Sequence, residues 1–182
     1  QKPLKERAAE KGLFFGAAVQ SLHLRQDPAF REAIIRECNM IIPEWEMKWG
    51  ALEKYEGRAD FSRSDWLAAF ASKNHMAVHG HVAVWHNNVP AWVKPAFADG
   101  RGEAVMIAHV KRLMEHYKGM LHSIGVVNEA IDPSFFSGDI YRKSLFYEQL
   151  GKDYIATAFA TAHEADPSAR LYYSDYGVDY DD

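Results

Sequence analysis

The sequence is poor in cysteine, in long apolar runs and in charge of one sign, and each scarcity excludes a class of protein. Cys38 has no second cysteine with which to form an internal disulfide, and its place among apolar positions of a predicted helix indicates a buried structural thiol. No apolar run approaches the roughly 20 residues that a bilayer-spanning helix needs. The 21 basic and 25 acidic residues are interspersed, so the net charge of −4 predicts no binding to nucleic acid or to an anionic membrane.

The remaining composition predicts a single folded domain over residues 1–182. Hydrophobic residues make up 48% of the chain, which is enough to bury one substantial core, and no linker, low-complexity tract or repeat interrupts it. The chain starts at Gln1 without a methionine or a hydrophobic leader, so we expect the numbering to describe a processed or trimmed chain. The five tryptophans and nine tyrosines are informative, because flat rings with polar edges suit the apolar faces of sugars.

Short apolar runs alternate with amphipathic helices along the chain, which is the pattern of parallel βα units. Polar and aromatic segments follow the runs on one side, whereas the connections on the other side are short. This asymmetry is typical of a barrel whose active site is built from the loops after its strands. The five predicted strands are Gly12–Val19, Met40–Pro43, Ala77–Trp85, Ser123–Asn128 and Leu171–Ser174.

Four amphipathic helices are predicted between these strands. Asp27 followed by Pro28 has the form of an N-cap and a first helical residue, and Ser62–Asp65 resembles a capping box before a helix at Arg63–Asn74. Pro167 helps to end the last helix. The apolar faces consist of Phe30, Ile34 and Cys38; Trp66, Leu67 and Phe70; Met106, Val110, Leu113, Met114 and Tyr117; and Leu150, Tyr154, Ala158, Phe159 and Ala162.

The predicted fold class is α/β, of the (β/α)8 TIM-barrel type, present as an incomplete barrel of about five strands and four helices. A complete barrel typically needs about 250 residues, so 182 residues should stop three strands short of closure. An open doubly wound sheet also accommodates five strands. However, the first turn lacks the glycine-rich phosphate loop that many doubly wound proteins use.

Unusual polar and aromatic residues gather where the predicted strands end. The segment Pro43–Trp49 (PEWEMKW) follows the second strand, and the third strand carries His79 and His81 and leads into Trp85–Asn88 (WHNN). The fourth strand ends at Asn128 and Glu129, and the fifth leads into Ser174-Asp175-Tyr176. Four consecutive strand ends therefore deliver carboxylates, amides, imidazoles, an ammonium group and indoles to one rim. This is the composition of a carbohydrate-binding cleft.

Glu129 has the position that a glycosidase acid requires. Cleavage of a glycosidic bond needs a carboxylic acid that protonates the leaving oxygen, and retaining enzymes add a carboxylate about 5–5.5 Å away that attacks the anomeric carbon. A carboxyl at the exit of a buried apolar strand is partly desolvated, which suits a general acid. The neighbouring Asn128 can offer its amide to a sugar hydroxyl beside the reacting centre.

Four motifs, PExEMKW, GHxxxWH followed by PxW, VVNEA and DPxARLYYxDY, resemble glycoside hydrolase family 10, chiefly β-1,4-xylanases, in order and spacing. The similarity runs from about Leu4 to the end of the chain. It implies a retaining endo-β-1,4-xylanase that needs no cofactor, acts on xylan or xylooligosaccharides and works in the periplasm or outside the cell. By the same resemblance, Glu129 is the acid/base and Asn128 its sugar-binding neighbour. Glycone sugars would be contacted by Glu44, Lys48, His81 and Trp85.

Several positions depart from the family pattern. Trp45 stands where the family usually has Asn, and Asn88 stands where it has Gln. Both remain candidate substrate-binding residues, with an expected effect on subsite affinity or sugar preference. The Trp-Asp pair that precedes VVNE in the family is Ile124-Gly125 here, and the family's NDYN is Ser174–Gly177 (SDYG).

The resemblance also implies residues that the predicted strands do not supply. In the family the nucleophilic Glu belongs to the seventh strand, and a supporting His belongs to the sixth. We therefore expect that the isolated chain does not perform retaining hydrolysis unless another polypeptide or a continuation supplies these residues. An open half-barrel would also expose two parallel strand edges, which predicts pairing with a complementary C-terminal barrel fragment or self-association.

Two alternative functions remain open at the level of sequence. One is a non-catalytic partial barrel that binds xylooligosaccharides. The other is a metal-dependent barrel hydrolase that uses His79 and His81, because residues i and i+2 of a strand share a face. For Glu46 and Asp175 we expect structural roles. His86 is either a support of the site or a packing residue. The other histidines are expected at the surface or in packing contacts.

Overall fold

The computed structural model describes residues 2–132 and 140–177 and contains a five-stranded parallel sheet. The strands follow one another in space in their order along the chain, each parallel to the next. A doubly wound sheet would reverse its strand order at a switch point, whereas a barrel wall keeps the order of the chain. The prediction of an incomplete barrel is confirmed. The strands are β1 Gly16–Val19, β2 Met40–Pro43, β3 Ala77–Trp85, β4 Ser123–Asn128 and β5 Arg170–Ser174.

Helices fill the crossovers between consecutive strands of the described chain. The four predicted helices correspond to α3, α5, α7 and α9, and the other five helices have six residues or fewer. None of the helices in the described ranges is long and apolar enough to cross a membrane. The helices are α1 Leu4–Ala9, α2 Ser21–Gln26, α3 Pro28–Glu37, α4 Trp49–Leu52, α5 Ser62–Lys73, α6 Val93–Ala98, α7 Gly102–His116, α8 Leu145–Leu150 and α9 Tyr154–Ala165.

Local sequence signals at α3 are confirmed. The Asp27 side chain accepts a hydrogen bond from the Phe30 N–H at 2.9 Å, and Pro28 is the first helical residue. Cys38 directly follows the helix and is buried, and this burial raises the pKa of its thiol. The cap satisfies one of the free N–H groups at the start of the helix.

Several predicted boundaries are wrong; β5 begins at Arg170 rather than Leu171, and α5 ends at Lys73 rather than Asn74. Strand β1 begins at Gly16 rather than Gly12, because its pairing with β2 starts at Gly16 opposite Met40. Ser62 is the first residue of α5 and not a capping residue, since its N–H is bound by Asp60 Oδ1 at 2.9 Å. Leu150 ends α8 and is separated from α9 by Gly151, whose φ of 69° is a left-handed conformation that glycine adopts readily.

Strand β4 lies at the centre of the core, and all six of its residues are buried. A parallel strand that is covered on both faces is expected to be apolar throughout, as Ile124, Val126 and Val127 are. The core continues into the helices through Leu67 of α5 and Leu113 of α7. The carboxyl end of β4 is therefore a rigid platform for the residues that follow it.

Candidate active site

Glu129 is held by its backbone at the carboxyl end of β4. Its N–H donates to the Ser174 carbonyl at 2.8 Å, and its carbonyl accepts from Arg142 Nε at 2.8 Å. Its φ of 56° lies in the left-handed region. Residues other than glycine rarely adopt this conformation, and those that do are concentrated at functional sites. The two backbone contacts fix the direction in which the half-buried carboxyl group leaves the strand.

The carboxyl group of Glu129 is oriented by Trp85 from the neighbouring strand. Trp85 Nε1 donates to Glu129 Oε2 at 2.9 Å, and Trp85 lies opposite Asn128 in the β3–β4 register. The ladder between these strands shifts between His81 and Val84, and such irregularities often re-aim side chains near active sites. Because Trp85 occupies Oε2, the proton of a general acid would lie on Oε1.

Lys48 connects the loop after β2 to the same tryptophan. Its Nζ donates to the Glu44 carbonyl oxygen and lies 5.5 Å from the centre of the Trp85 ring. Burial lowers the pKa of Lys48, and the carboxylates of Glu44 and Glu46 oppose this effect. The structure thus brings Lys48, Glu44 and Trp85 together with Glu129 in one row along the rim.

Glu44 and Glu46, two residues apart, have different environments. Glu44 is exposed, and its Oε2 accepts from Gln20 Nε2 at 3.1 Å. Glu46 is buried, and its Oε1 accepts from the Ser21 N–H at 2.6 Å at the start of α2. A carboxylate at a helix N-terminus stabilises the helix, which fits the structural role expected for Glu46.

His81 lies on β3 beside Lys48, and burial is the main cause that lowers its pKa to about 4. The charges of Lys48 and His79 act in the same direction, whereas Glu129 opposes them. The imidazole is therefore neutral near pH 7, with one donor and one acceptor nitrogen, which suits a sugar hydroxyl. A Cβ placed on Gly125 would lie 3.2 Å from His81 Nδ1, so the residue at position 125 faces this ring.

His79 points to a different partner. Its Nδ1 is hydrogen-bonded to Ser123 Oγ at 2.7 Å. Within the described residues, His79 and His81 do not belong to any group of three or more His, Cys, Asp or Glu side chains that could hold a metal ion. His86 lies near the rim, directly after Trp85. Burial is the main cause that lowers its pKa, and the charge of Arg142 acts in the same direction.

Two predicted asparagines are placed by the backbone around them. Asn128 is buried as the last residue of β4 and lies opposite Ser174 in β5. Asn88 Oδ1 accepts from the Gly50 N–H at 3.0 Å, which fixes the orientation of its amide. A Cβ at Gly50 would lie 2.6 Å from this oxygen, so a larger residue there would require the Asn88 side chain to shift.

The loop after Glu129 is held by Tyr173 of β5, which sequence reasoning missed, and by Asp175 just beyond this strand. Tyr173 Oη accepts from the N–H groups of Ala130 and Ile131, both at 3.1 Å, and donates to Asp175 Oδ2. Asp175 is thus the structural acceptor that was expected. Burial, followed by the Asp175 carboxylate, raises the pKa of Tyr173. The only available signal was the position of Tyr173 within the motif of the fifth strand.

Arg142 completes this clamp, although no motif marked it. Its Nη2 donates to the Ile131 carbonyl at 2.9 Å and to Tyr176 Oη at 3.0 Å, in addition to the bond from Nε to Glu129. Burial alone would lower the pKa of Arg142, but Tyr176 and the carboxylates of Asp132 and Asp175 raise it above its ordinary value, so Arg142 remains a cation. The candidate site therefore consists of the Glu129 carboxyl group, the Trp85 indole that donates to one of its oxygens, and polar groups that extend toward β2. Arg142 and Ser174 hold the backbone of Glu129.

Comparison with known proteins found one family model, described as "Glycosyl hydrolase family 10", that matches residues 3–182. The chain is 35% identical over 168 residues to endo-1,4-beta-xylanase 3 of Hypocrea jecorina, and the aligned region covers 92% of this chain and 47% of that protein. It is 36% identical to a beta-1,4-xylanase of Dictyoglomus thermophilum, and that alignment covers 90% of this chain and 45% of the relative. The chain thus spans about half the length of these relatives.

Solved structures agree with the sequence comparison. Native xylanase 10B from Thermotoga maritima matches with a TM-score of 0.85 at 35% identity, covering 96% of this chain and 54% of that one. Xylanase 10B from Thermotoga petrophila in complex with xylobiose matches with a TM-score of 0.85 at 33% identity, covering 100% and 55%.

Proposed function

Because this chain belongs to glycosyl hydrolase family 10, we propose that the whole protein is a retaining endo-β-1,4-xylanase with Glu129 as its general acid/base. The proposal is carried by one observation, the Glu129 carboxyl group at the end of β4 with Oε2 bound by Trp85 Nε1. A solved relative has xylobiose bound, which supports xylan or xylooligosaccharides as the substrate. The action on a polymer favours a secreted or periplasmic location.

The reaction needs two carboxyl groups in different roles. Glu129 donates its proton to the leaving glycosidic oxygen while a second carboxylate attacks the anomeric carbon and forms a glycosyl-enzyme. Glu129 then removes a proton from water, which attacks the same carbon and releases a sugar of retained configuration. We infer that the attacking carboxylate comes from barrel strands beyond the five described here.

The sugar contacts follow the row of residues along the rim. We propose that Glu44, Lys48, His81, Trp85 and Asn128 bind the glycone sugars, and that Trp45 and Asn88 adjust sugar preference. Lys48 is held by the Glu44 carbonyl, and both Lys48 and the neutral His81 are partly desolvated, which suits hydrogen bonds to sugar hydroxyl groups. Trp85 offers a ring face beside the acid.

The stereochemistry of the products tests the proposed function. Full-length protein mixed with xylohexaose should first release the β-anomer, which proton NMR detects before mutarotation. Initial release of the α-anomer would exclude double displacement. Absence of hydrolysis of both xylan and xylohexaose by the full-length protein would refute the assignment as a xylanase.

Replacement of Gly125 by aspartate, the residue that the family pattern has at this position, should raise the pKa of His81. A carboxylate beside an imidazole favours the imidazolium form, and the expected rise from about 4 is about 1 to 3 pH units. NMR titration of the His81 ring measures the effect. Gly125→Asn is the matched control, because it adds the same bulk without charge. Equal pKa values in the two variants would contradict this prediction.

The sheet edges provide a separate prediction about assembly. In the described sheet, β1 and β5 each pair with a single neighbouring strand, and Phe14 and Tyr172 near these edges are exposed. We propose that the edges pair with complementary barrel strands or with a second copy of the chain. Sedimentation velocity of residues 1–182 should show dimers or larger species at micromolar concentration. A single monomeric species would contradict pairing with a second copy of the chain.

A further inference from the structure

The three consecutive carbonyl groups in the turn after β4 are all bound by one residue, Arg142. Its Nε donates to the Glu129 carbonyl at 2.8 Å, and its Nη2 donates to the Ile131 carbonyl at 2.9 Å. Its backbone N–H donates to the Ala130 carbonyl between them at 2.8 Å. The guanidinium fork therefore spans two carbonyls that are two residues apart, which the single nitrogen of a lysine side chain does not do.

Glu129 depends on such support because its φ of 56° is a left-handed conformation. A residue with a Cβ adopts this conformation at a cost in free energy and keeps it only where the surrounding structure fixes the backbone. The Glu129 N–H is held by the Ser174 carbonyl at 2.8 Å, and the Glu129 carbonyl is held by Arg142. Rotation of either peptide group would swing the Cα–Cβ bond and separate the carboxyl group from Trp85 Nε1, which now lies 2.9 Å from Oε2.

The main chain of Arg142 is anchored independently of its side chain. Ile131 and Tyr141 form an antiparallel bridge directly before it. The Arg142 carbonyl accepts from the Ser144 N–H at 2.8 Å, and the buried Ser144 caps α8 by accepting from the Tyr147 N–H at 3.3 Å. The guanidinium group therefore extends from a fixed base toward Glu129.

We propose that Arg142 is a positioning residue for the general acid, which holds the left-handed backbone of Glu129 and so keeps its carboxyl group aimed at the leaving glycosidic oxygen. The inference rests on the proposed function, because that oxygen belongs to the substrate that Glu129 would cleave. Nε and Nη2 of Arg142 are already engaged by the two carbonyls, and Nη2 also donates to Tyr176 Oη at 3.0 Å. Arg142 therefore acts on the reaction through Glu129.

A series of aryl xylobiosides tests this role in the full-length protein. The value of kcat/KM reports the steps up to the glycosyl-enzyme, and only a weakly acidic phenol needs a proton from Glu129 in order to leave. Arg142→Ala should lower kcat/KM on the order of 10²-fold for a weakly acidic phenol, because a small misplacement of a reacting group has an effect of this size. For the most acidic phenol the value should stay nearly unchanged. Arg142→Lys, which keeps the charge but has one donor nitrogen, should show the same dependence on the leaving group with a smaller loss.

A second variant tests the same turn from β5. Tyr173→Phe removes the oxygen that accepts from the Ala130 N–H at 3.1 Å, so it should also slow weakly acidic phenols selectively. It decides the question if Arg142→Ala does not fold, which circular dichroism shows. Arg101→Ala is the matched control, because Arg101 is exposed and paired with Glu56, and it should change kcat/KM for none of the phenols.

The outcomes separate this inference from the proposed function. If the folded variants of Arg142 and Tyr173 lose the same factor for all phenols, or lose nothing, the positioning role is refuted while the xylanase assignment stands. If the wild-type protein hydrolyses neither xylan nor any aryl xylobioside, the proposed function fails and the positioning role fails with it.

Discussion

Replacing Glu129 with alanine in the full-length protein lowers kcat on xylan by about 10³-fold, within the 10²–10⁴-fold range typical of a general acid/base. Both chemical steps need this carboxyl group, first as a proton donor to the leaving oxygen and then as a base for water. Glu129→Gln should be about equally inactive, although its amide oxygen can still accept the hydrogen bond from Trp85 Nε1. Steady-state kinetics on soluble xylan measures the loss.

Activated substrates distinguish an acid/base from a residue that only supports the fold. An aryl xylobioside with an acidic phenol as its leaving group needs no protonation, so Glu129→Ala should still form the glycosyl-enzyme and then accumulate it. Azide attacks that intermediate without a base, so it should restore turnover and give β-xylobiosyl azide. If the loss is the same for xylan and the aryl substrate and azide has no effect, Glu129 is not the acid/base.

The sheet was largely predictable from the sequence because its signals are local. Strands β2, β3 and β4 begin and end where the apolar runs predict, since each run is bounded by polar or turn residues. The five short helices were not predictable, because six residues or fewer complete less than two turns and show no amphipathic period. Strand β1 was predicted too long because its boundary depends on pairing with β2.

The site was predictable where chemistry and position coincide. Glu129 and Asn128 follow a buried strand directly, so their location could be derived from the chain itself. Arg142 and Tyr173 could not be found in this way, because they act on residues 11 to 43 positions away. Such contacts exist only after the barrel wall has brought β4, β5 and the intervening loop together.

The carboxylate of Glu53 was missed for the same reason, although it is the most enclosed acidic group described. Glu53 is 1% exposed and follows α4. Its Oε2 accepts from Trp49 Nε1 at 3.1 Å and contacts His109 Nδ1 at 3.0 Å, while Oε1 accepts from the Gly57 N–H at 3.2 Å and from Arg112. Burial alone would raise the pKa of Glu53, but His109, Arg112 and Gly57 lower it below its usual value.

This cluster joins three parts of the barrel wall behind the candidate site. His109 Nε2 lies 3.1 Å from the carbonyl of Ala83 in β3, and Trp92 Nε1 donates to the Glu53 carbonyl at 2.8 Å. His109 also stacks on Trp49 with the ring centres 4.2 Å apart. Ala83 is two residues before Trp85, so the cluster contacts the strand that orients Glu129.

Glu53→Ala should therefore destabilise the full-length protein by about 3–5 kcal/mol, because it leaves the buried donors of Trp49 and His109, and the partly exposed cation Arg112, without their acceptor. Urea denaturation at pH 7 measures the difference. Glu56→Ala is the matched control, since Glu56 is exposed and paired with Arg101, and its loss should cost less than about 1 kcal/mol.

The lowered pKa of Glu53 sets the pH dependence of this effect. The stabilisation by Glu53 is present above the ordinary value of 4.5 and is lost as the pH falls through the folded-state pKa. The gap between wild type and Glu53→Ala should thus shrink in acid, and equal stabilities of the two variants at pH 7 would contradict the assignment of Glu53 as the centre of the cluster.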